Sequence, residues 1–86
     1  MDGQLIEALR LLKTSKNRIK ILDLLNKGKV LTPMEIAKET HIVINHVSNF
    51  LRVFKKSKLV VCLNENEKRG RLYQITILGK KVLTLL

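Results

Sequence analysis

The polar side chains with the most regular spacing lie between residues 44 and 56. At successive steps of four, three and four residues stand Asn45, Asn49, Arg52 and Lys56, with Ser48 and Lys55 beside them. On an α-helix such a set shares one face. Asparagine can form two hydrogen bonds with adenine, and arginine can do the same with guanine or bind phosphate. This stripe of amides and cations indicates contact with a nucleic acid.

A second group of cations surrounds a glycine in a polar segment. Lys68 and Arg69 precede Gly70, and Arg71 follows it, within residues 64–71. Cations on a flexible loop can lie along the phosphate backbone or enter a narrow minor groove, where the negative potential attracts arginine. We therefore predict that this loop is a second point of contact with the same nucleic acid.

The helix that carries the polar stripe is the clearest element in the sequence. Its other face is wholly apolar and consists of Ile44, Val47, Phe50, Leu51 and Phe54. A helix of this kind packs the apolar face on a core and leaves the polar face in solvent. We therefore predict a helix over residues 44–56 with its stripe exposed.

The remaining apolar patterns predict the elements that hold this helix. They are helices over residues 4–13, 16–26, 33–40 and 77–86, and strands over residues 59–63 and 72–76. Thr32-Pro33-Met34-Glu35 predicts a capping box with proline at the first helical position. Thr14-Ser15 is expected to cap the second helix and Thr76 the last one, and Gly28 to end the second. The pattern predicts one helical core with a β-hairpin.

Charge and composition narrow the class of protein further. A formal net charge of +10 on 86 residues favours an anionic partner: nucleic acid, an acidic membrane or an acidic protein. The longest unbroken apolar run, residues 59–63, is too short to span a membrane. The single cysteine, Cys62, excludes an intramolecular disulfide and suits a reducing compartment as a buried, inert thiol. Without a signal-peptide pattern at residues 1–4, we expect a cytoplasmic protein with one domain over residues 1–86.

Five short motifs follow one another between residues 31 and 85. They are Leu31-Thr32-Pro33-x-Glu35-Ile36-Ala37-Lys38-Glu39-Thr40, His46-Val47-Ser48-x-x-Leu51, Leu59-Val60-x-Cys62-Leu63-Asn64, Lys68-Arg69-Gly70-Arg71-Leu72-Tyr73 and Thr76-x-x-Gly79. Together they resemble archaeal winged helix-turn-helix transcription regulators of the ArsR-like family. The resemblance implies an α+β fold, mostly α, with a three-helix core, a β-hairpin wing and additional N- and C-terminal helices.

The resemblance also implies roles for particular residues. The helix over residues 44–56 becomes the reading helix, and its contact positions fall on Asn45, Ser48, Asn49 and Arg52. A homodimer through the N- and C-terminal helices is implied as well. Its candidate residues are Leu5, Ile6, Leu9, Leu12, Leu83, Leu85 and Leu86. Two positions depart from the family pattern: His41 stands where the turn usually has glycine, and Val43 where a Ser or Thr cap is common.

These observations predict a transcription regulator that binds double-stranded DNA sequence-specifically. Helix 44–56 would read the major groove, and the wing over residues 64–71 would contact the backbone or the minor groove. The candidate DNA-binding residues are Thr32, Asn45, His46, Ser48, Asn49, Arg52, Lys55, Lys56, Lys68, Arg69 and Arg71.

Other functions have less support in the sequence. There is no Ser/His/Asp arrangement and no glycine-rich phosphate loop, so we predict a non-enzyme without a cofactor. His41, His46 and Cys62 lack the spacing of metal ligands, so no metal is expected. Two alternatives stay open: a winged-helix module for protein–protein interaction, and a nucleoid-type protein that binds DNA without reading its sequence.

Overall fold

The structure, a computed structural model, describes residues 3–86; Met1 and Asp2 lie outside the described residues. Within this range the helices and strands are α1 (Gly3–Lys13), α2 (Lys16–Leu25), α3 (Pro33–Thr40), α4 (Ile44–Lys56), β1 (Val60–Cys62), β2 (Tyr73–Ile75) and α5 (Ile77–Thr84). The order agrees with the prediction. The strands are shorter than predicted, with three residues each, and α5 ends at Thr84 rather than Leu86.

The second helix is the centre of the molecule, as its scattered apolar residues predict. It packs against α1, α3, α5 and β2, and buries Ile21, Leu22 and Leu25. Ser15 takes the N-cap position, as predicted. Its side chain makes no capping hydrogen bond, so the prediction of a side-chain cap was wrong. After α2 the chain turns at Gly28, which has φ +78°, a left-handed conformation that glycine adopts without steric cost.

Two leucines expected at a dimer interface lie in the core instead. Leu5 and Leu12 are buried between α1 and the other helices, because α1 packs against both α2 and α5. They cannot contact a second copy without leaving this core. Of the other candidates, Leu9 and Leu83 are half-buried, whereas Ile6, Leu85 and Leu86 are exposed.

The turn between α3 and α4 is built from side-chain hydrogen bonds and one left-handed residue. Thr32 and Glu35 form the predicted capping box, with bonds of 2.9 Å and 3.2 Å between side chain and backbone. At the other end of α3, His41 adopts φ +61° and closes the helix where the resemblance expects glycine. Thr40 Oγ1 then accepts the Ile42 N–H at 3.3 Å, which fixes the path into α4.

The hairpin is anchored to the helices at its open end. Val60 pairs with Ile75 and Cys62 with Tyr73, in antiparallel register, and Leu31 adds a bridge to Tyr73. The Thr76 side chain caps α5 by accepting the Gly79 N–H at 3.0 Å, as predicted. Gly79 lies so close to Leu59 and Ile75 that a β-carbon would collide with both. Cys62 is half-buried rather than buried. None of the helices described has the length and apolar content that a membrane crossing requires.

Candidate nucleic-acid interface

The polar stripe of α4 lies in solvent. Asn45, Ser48, Asn49, Arg52 and Lys56 are all exposed. The opposite face explains this orientation, because Val47, Leu51 and Phe54 are buried in the core. An exposed face of amides and cations, fixed by a buried apolar face, can hydrogen-bond to the edges of bases or to phosphates.

The start of α4 has no capping side chain. Val43 occupies the N-cap position, and no side-chain cap hydrogen bond forms. Asn45 therefore does not serve as a cap, and its amide stays available for a ligand. The helix instead starts through the Val43 carbonyl, which accepts the N–H groups of His46 and Val47 at 2.9 Å and 3.0 Å.

The wing, residues 64–71, is held in shape by one asparagine. Asn64 Oδ1 accepts the Leu72 N–H at 2.7 Å, and Asn64 Nδ2 donates to the Gly70 carbonyl at 3.1 Å. Gly70 itself has φ +65°. These bonds close the loop across its base, and they leave Lys68 and Arg69 exposed at its tip.

Arg71 is less free than its position in the sequence suggests. Its guanidinium donates to the Glu67 carbonyl at 2.7 Å and to the Glu65 carbonyl at 3.5 Å. It thus folds back onto the wing and joins two of its backbone carbonyl groups. Since Arg is a five-donor group, the remaining donors can still face a ligand.

Part of the exposed surface of α4 and part of the wing line one cleft of about 270 Å³. Its lining residues are Pro33, Ser48, Arg52, Lys55, Lys68, Gly70, Arg71 and Tyr73. Four of these residues are cations, two from α4 and two from the wing. Converging cations from two elements create a positive potential that attracts a polyanion such as a phosphate backbone.

One acidic residue modifies this cationic cleft. Lys55 Nζ lies 2.6 Å from a Glu65 carboxylate oxygen, so part of its charge is neutralised by the wing. Both side chains are partly exposed, so the pair can be opened by a competing anion.

The remaining predicted residues lie at the edges of the stripe. Thr32 is half-buried beside Pro33, and its hydroxyl is engaged in the capping box, where its oxygen accepts the Glu35 N–H. His46 is exposed, and its ring lies 6.4 Å from that of Phe50, at an angle of 51°. Of the predicted residues, the fold brings Ser48, Arg52, Lys55, Lys68 and Arg71 together at the cleft. The others do not line it; they are Thr32, Asn45, His46, Asn49, Lys56 and Arg69.

Three residues that the sequence analysis did not select shape this surface. Asn64 hydrogen-bonds across the base of the wing, Glu65 pairs with Lys55, and Tyr73 lines the cleft. An asparagine directly after a strand is a common turn former, and this signal pointed to Asn64. No local signal identifies Glu65, because its partner is ten residues away on another element.

Comparison with known proteins gives matches among solved structures only, since no family model and no curated protein sequence matches the chain. Wild-type MarR from E. coli superposes with a TM-score of 0.74 at 26% identity, over 98% of this chain and 63% of that one. A cysteine-to-serine variant of MarR, complexed with operator DNA, gives 0.73 at 26% identity, over 98% and 61%.

The protein has a MarR-type winged-helix fold. The predicted fold class is therefore confirmed, with α3 and α4 as the helix-turn-helix and the β1–β2 hairpin as the wing. The adhesin competence repressor from Streptococcus pyogenes shows the same fold at 20% identity and a TM-score of 0.71, over 94% of this chain and 63% of that one. This winged helix spans less than two thirds of the length of these MarR-type neighbours.

Metal ligands do not cluster in the described part of this winged helix. Across residues 3–86, no three or more His, Cys, Asp or Glu side chains lie close enough together to hold a metal ion.

Proposed function

We propose that this protein is a transcription regulator that binds double-stranded DNA sequence-specifically. One observation carries the proposal: Ser48, Arg52 and Lys55 of α4 line one cleft together with Lys68 and Arg71 of the wing. A B-DNA major groove admits one α-helix, and the flanking backbone or minor groove is then in reach of a wing. The structure of MarR from E. coli in complex with operator DNA, which shares this fold, supports it.

The proposal divides the candidate residues into two roles. Asn45, Asn49 and Arg52 contact base edges, because amide and guanidinium groups make the two-bond contacts that distinguish adenine and guanine. The other candidates contact phosphates and position the helix without reading sequence. They are Thr32, His46, Ser48, Lys55, Lys56, Lys68, Arg69 and Arg71.

We further propose a homodimer through the two ends of the chain. The apolar side chains that support it are Ile6, Leu85 and Leu86, which are exposed on α1 and beyond α5. A dimer would present two α4 helices to successive major grooves, ~34 Å apart, and favour a pseudo-palindromic site.

Three further points stay predictions: a single domain over residues 1–86, a cytoplasmic location, and membership of the archaeal ArsR-like group. The solved structures reported above are two of MarR from E. coli and one of the adhesin competence repressor.

The test is a fluorescence-anisotropy titration with random and selected duplexes at two salt concentrations. We expect the wild type to prefer selected sequences, and Asn49→Ala/Arg52→Ala to lose that preference. Each base pair contacted in this way contributes roughly 1–3 kcal/mol of discrimination. The control is Arg10→Ala/Asn17→Ala, which removes the same side-chain types from exposed positions on α1 and α2.

Two outcomes would contradict the proposal. Equal affinity for all sequences with a steep salt dependence would indicate a nucleoid-type protein that contacts phosphates only. Absence of binding at moderate salt would favour a module for protein–protein interaction, the other alternative that the sequence leaves open.

A further inference from the structure

The residue at the start of α4 is an exposed valine. Val43 is 60% exposed, although it stands between the buried Ile42 and the half-buried Ile44. Its backbone is fixed on both sides: Thr40 Oγ1 accepts the Ile42 N–H, and the Val43 carbonyl accepts two N–H groups of α4. The backbone is thus fixed, and an apolar side chain stands in solvent at the N-terminal end of α4.

The Val43 side chain contributes neither to the core nor to a helix cap. The helices on either side of α4 in sequence, α3 and α5, have the N-cap residues Thr32 and Thr76, whose side chains cap them. Valine is among the poorest N-cap residues, since it has no side-chain oxygen to accept the free N–H groups. At α4 the chain therefore gives up a capping bond and exposes a branched apolar side chain in its place.

We propose that Val43 contacts the C5-methyl group of a thymine in the major groove. This inference rests on the proposed function. The first residues of a reading helix are those that contact base edges. The thymine methyl is the apolar group that base pairs present in the major groove, and apolar side chains recognise it.

The neighbouring amide makes the expected sequence more specific. Asn45 lies two residues after Val43 and does not serve as a cap. Its amide suits adenine, so we expect an adenine as well as a thymine in the DNA that faces the first turn of α4. Arg52 lies almost two helical turns beyond Asn45 on the same face, so the guanine contact is displaced from these two.

The experiment removes the methyl group from the DNA and the valine from the protein. Each thymine of a selected site is replaced in turn by deoxyuridine, which keeps every hydrogen bond but lacks the C5-methyl. We expect one position in each half-site to weaken wild-type binding about fourfold, the value of one buried methyl group. Val43→Ala should bind the thymine and deoxyuridine sites equally at that position.

Two further variants separate the methyl contact from general effects. Val43→Ser supplies a capping hydroxyl, so it should raise the melting temperature and still lose the thymine preference. Ile77→Ala removes another exposed apolar side chain, 86% exposed at the start of α5, and should keep the full methyl effect.

The outcomes distinguish this inference from the proposed function. If the wild type prefers selected sites but no deoxyuridine substitution weakens it, the regulator stands and the Val43 contact is wrong. An equal loss in the wild type and Val43→Ala also overturns the contact. Binding that ignores sequence altogether overturns both.

Discussion

An ion pair between Lys55 and Glu65 joins α4 to the wing, with 2.6 Å between the ammonium nitrogen and a carboxylate oxygen. Because both groups are partly exposed, the pair contributes little to stability, about 0–1 kcal/mol. Its main effect is on charge, since it occupies one of the four cations that line the cleft.

Releasing this lysine should strengthen DNA binding. Glu65→Gln removes the carboxylate that competes with phosphate for Lys55, and we expect affinity to rise about threefold to tenfold at low salt. The slope of log affinity against log salt should steepen by up to ~1, as one more phosphate is neutralised. Both are measured by anisotropy over a salt series.

The second ion pair in the described structure provides the control. Glu39→Gln removes the same charge from the Lys29–Glu39 pair, at 3.4 Å, whose residues do not line the cleft. If both variants raise affinity equally, the effect is one of net charge and the role given to the Lys55–Glu65 pair is wrong.

Loss of the Asn64 amide should loosen the wing. Asn64→Ala removes the bonds to Leu72 N–H and the Gly70 carbonyl, each worth about 0.5–1.5 kcal/mol. We expect faster hydrogen exchange of the Leu72 amide and DNA affinity lower by about threefold. Asn66→Ala, at an exposed position of the same loop, should change neither quantity. Unchanged exchange at Leu72 in Asn64→Ala would contradict this role.

The packing of α5 on the hairpin should depend on Gly79. A β-carbon at this position would collide with the Leu59 carbonyl oxygen and the Ile75 side chain. Gly79→Ala should therefore destabilise the fold by roughly 1–3 kcal/mol, the usual effect of an extra methyl group in a packed site. Urea denaturation measures it, and Gly3→Ala, whose β-carbon meets open space on α1, serves as the comparison and should not lower stability.

The capping box should make stability depend on pH through Glu35. The hydrogen bond from the Thr32 backbone, and then that with the Thr32 side chain, lowers the pKa of Glu35 below its usual 4.5. A lowered pKa in the folded state means that the contribution is complete above the unfolded value and is lost as pH falls through the folded one.

Glu35→Gln isolates this contribution. Glutamine can keep the capping box but does not titrate. The variant should therefore lose less stability than the wild type as the pH falls below about 4.5. Thermal melts across this range provide the measurement. Identical acid profiles would show that the box does not stabilise the ionised carboxylate.

The elements that position the candidate interface follow from local sequence patterns. Helix α4 is predictable because an apolar face with period 3.6 and a polar stripe coincide over thirteen residues. The start of α3 is predictable because Thr32, Pro33 and Glu35 form a local capping motif. Both signals depend only on residues within one or two turns of each other.

The features that the sequence did not predict depend on how distant elements meet. The sequence alone predicts Lys55 and Arg71 as free cations. In the fold, Lys55 pairs with Glu65 of the wing, and the Arg71 guanidinium hydrogen-bonds to the wing backbone. The sequence pattern places Leu5 and Leu12 at an interface between two copies. In the fold both leucines are buried, because α1 packs against α5. Such contacts are set by tertiary packing, which periodicity along one element does not describe.

Just beyond either end of α4 stands a non-glycine residue with left-handed backbone, His41 at φ 61° and Lys58 at φ 62°. Each such residue costs roughly 1–2 kcal/mol, a sizeable part of the margin of a small domain. The tolerance of this chain to mutation is therefore set in part by two exposed residues outside its core. Consider an otherwise identical chain with glycine at both sites. A destabilising substitution that leaves that chain folded can unfold this one.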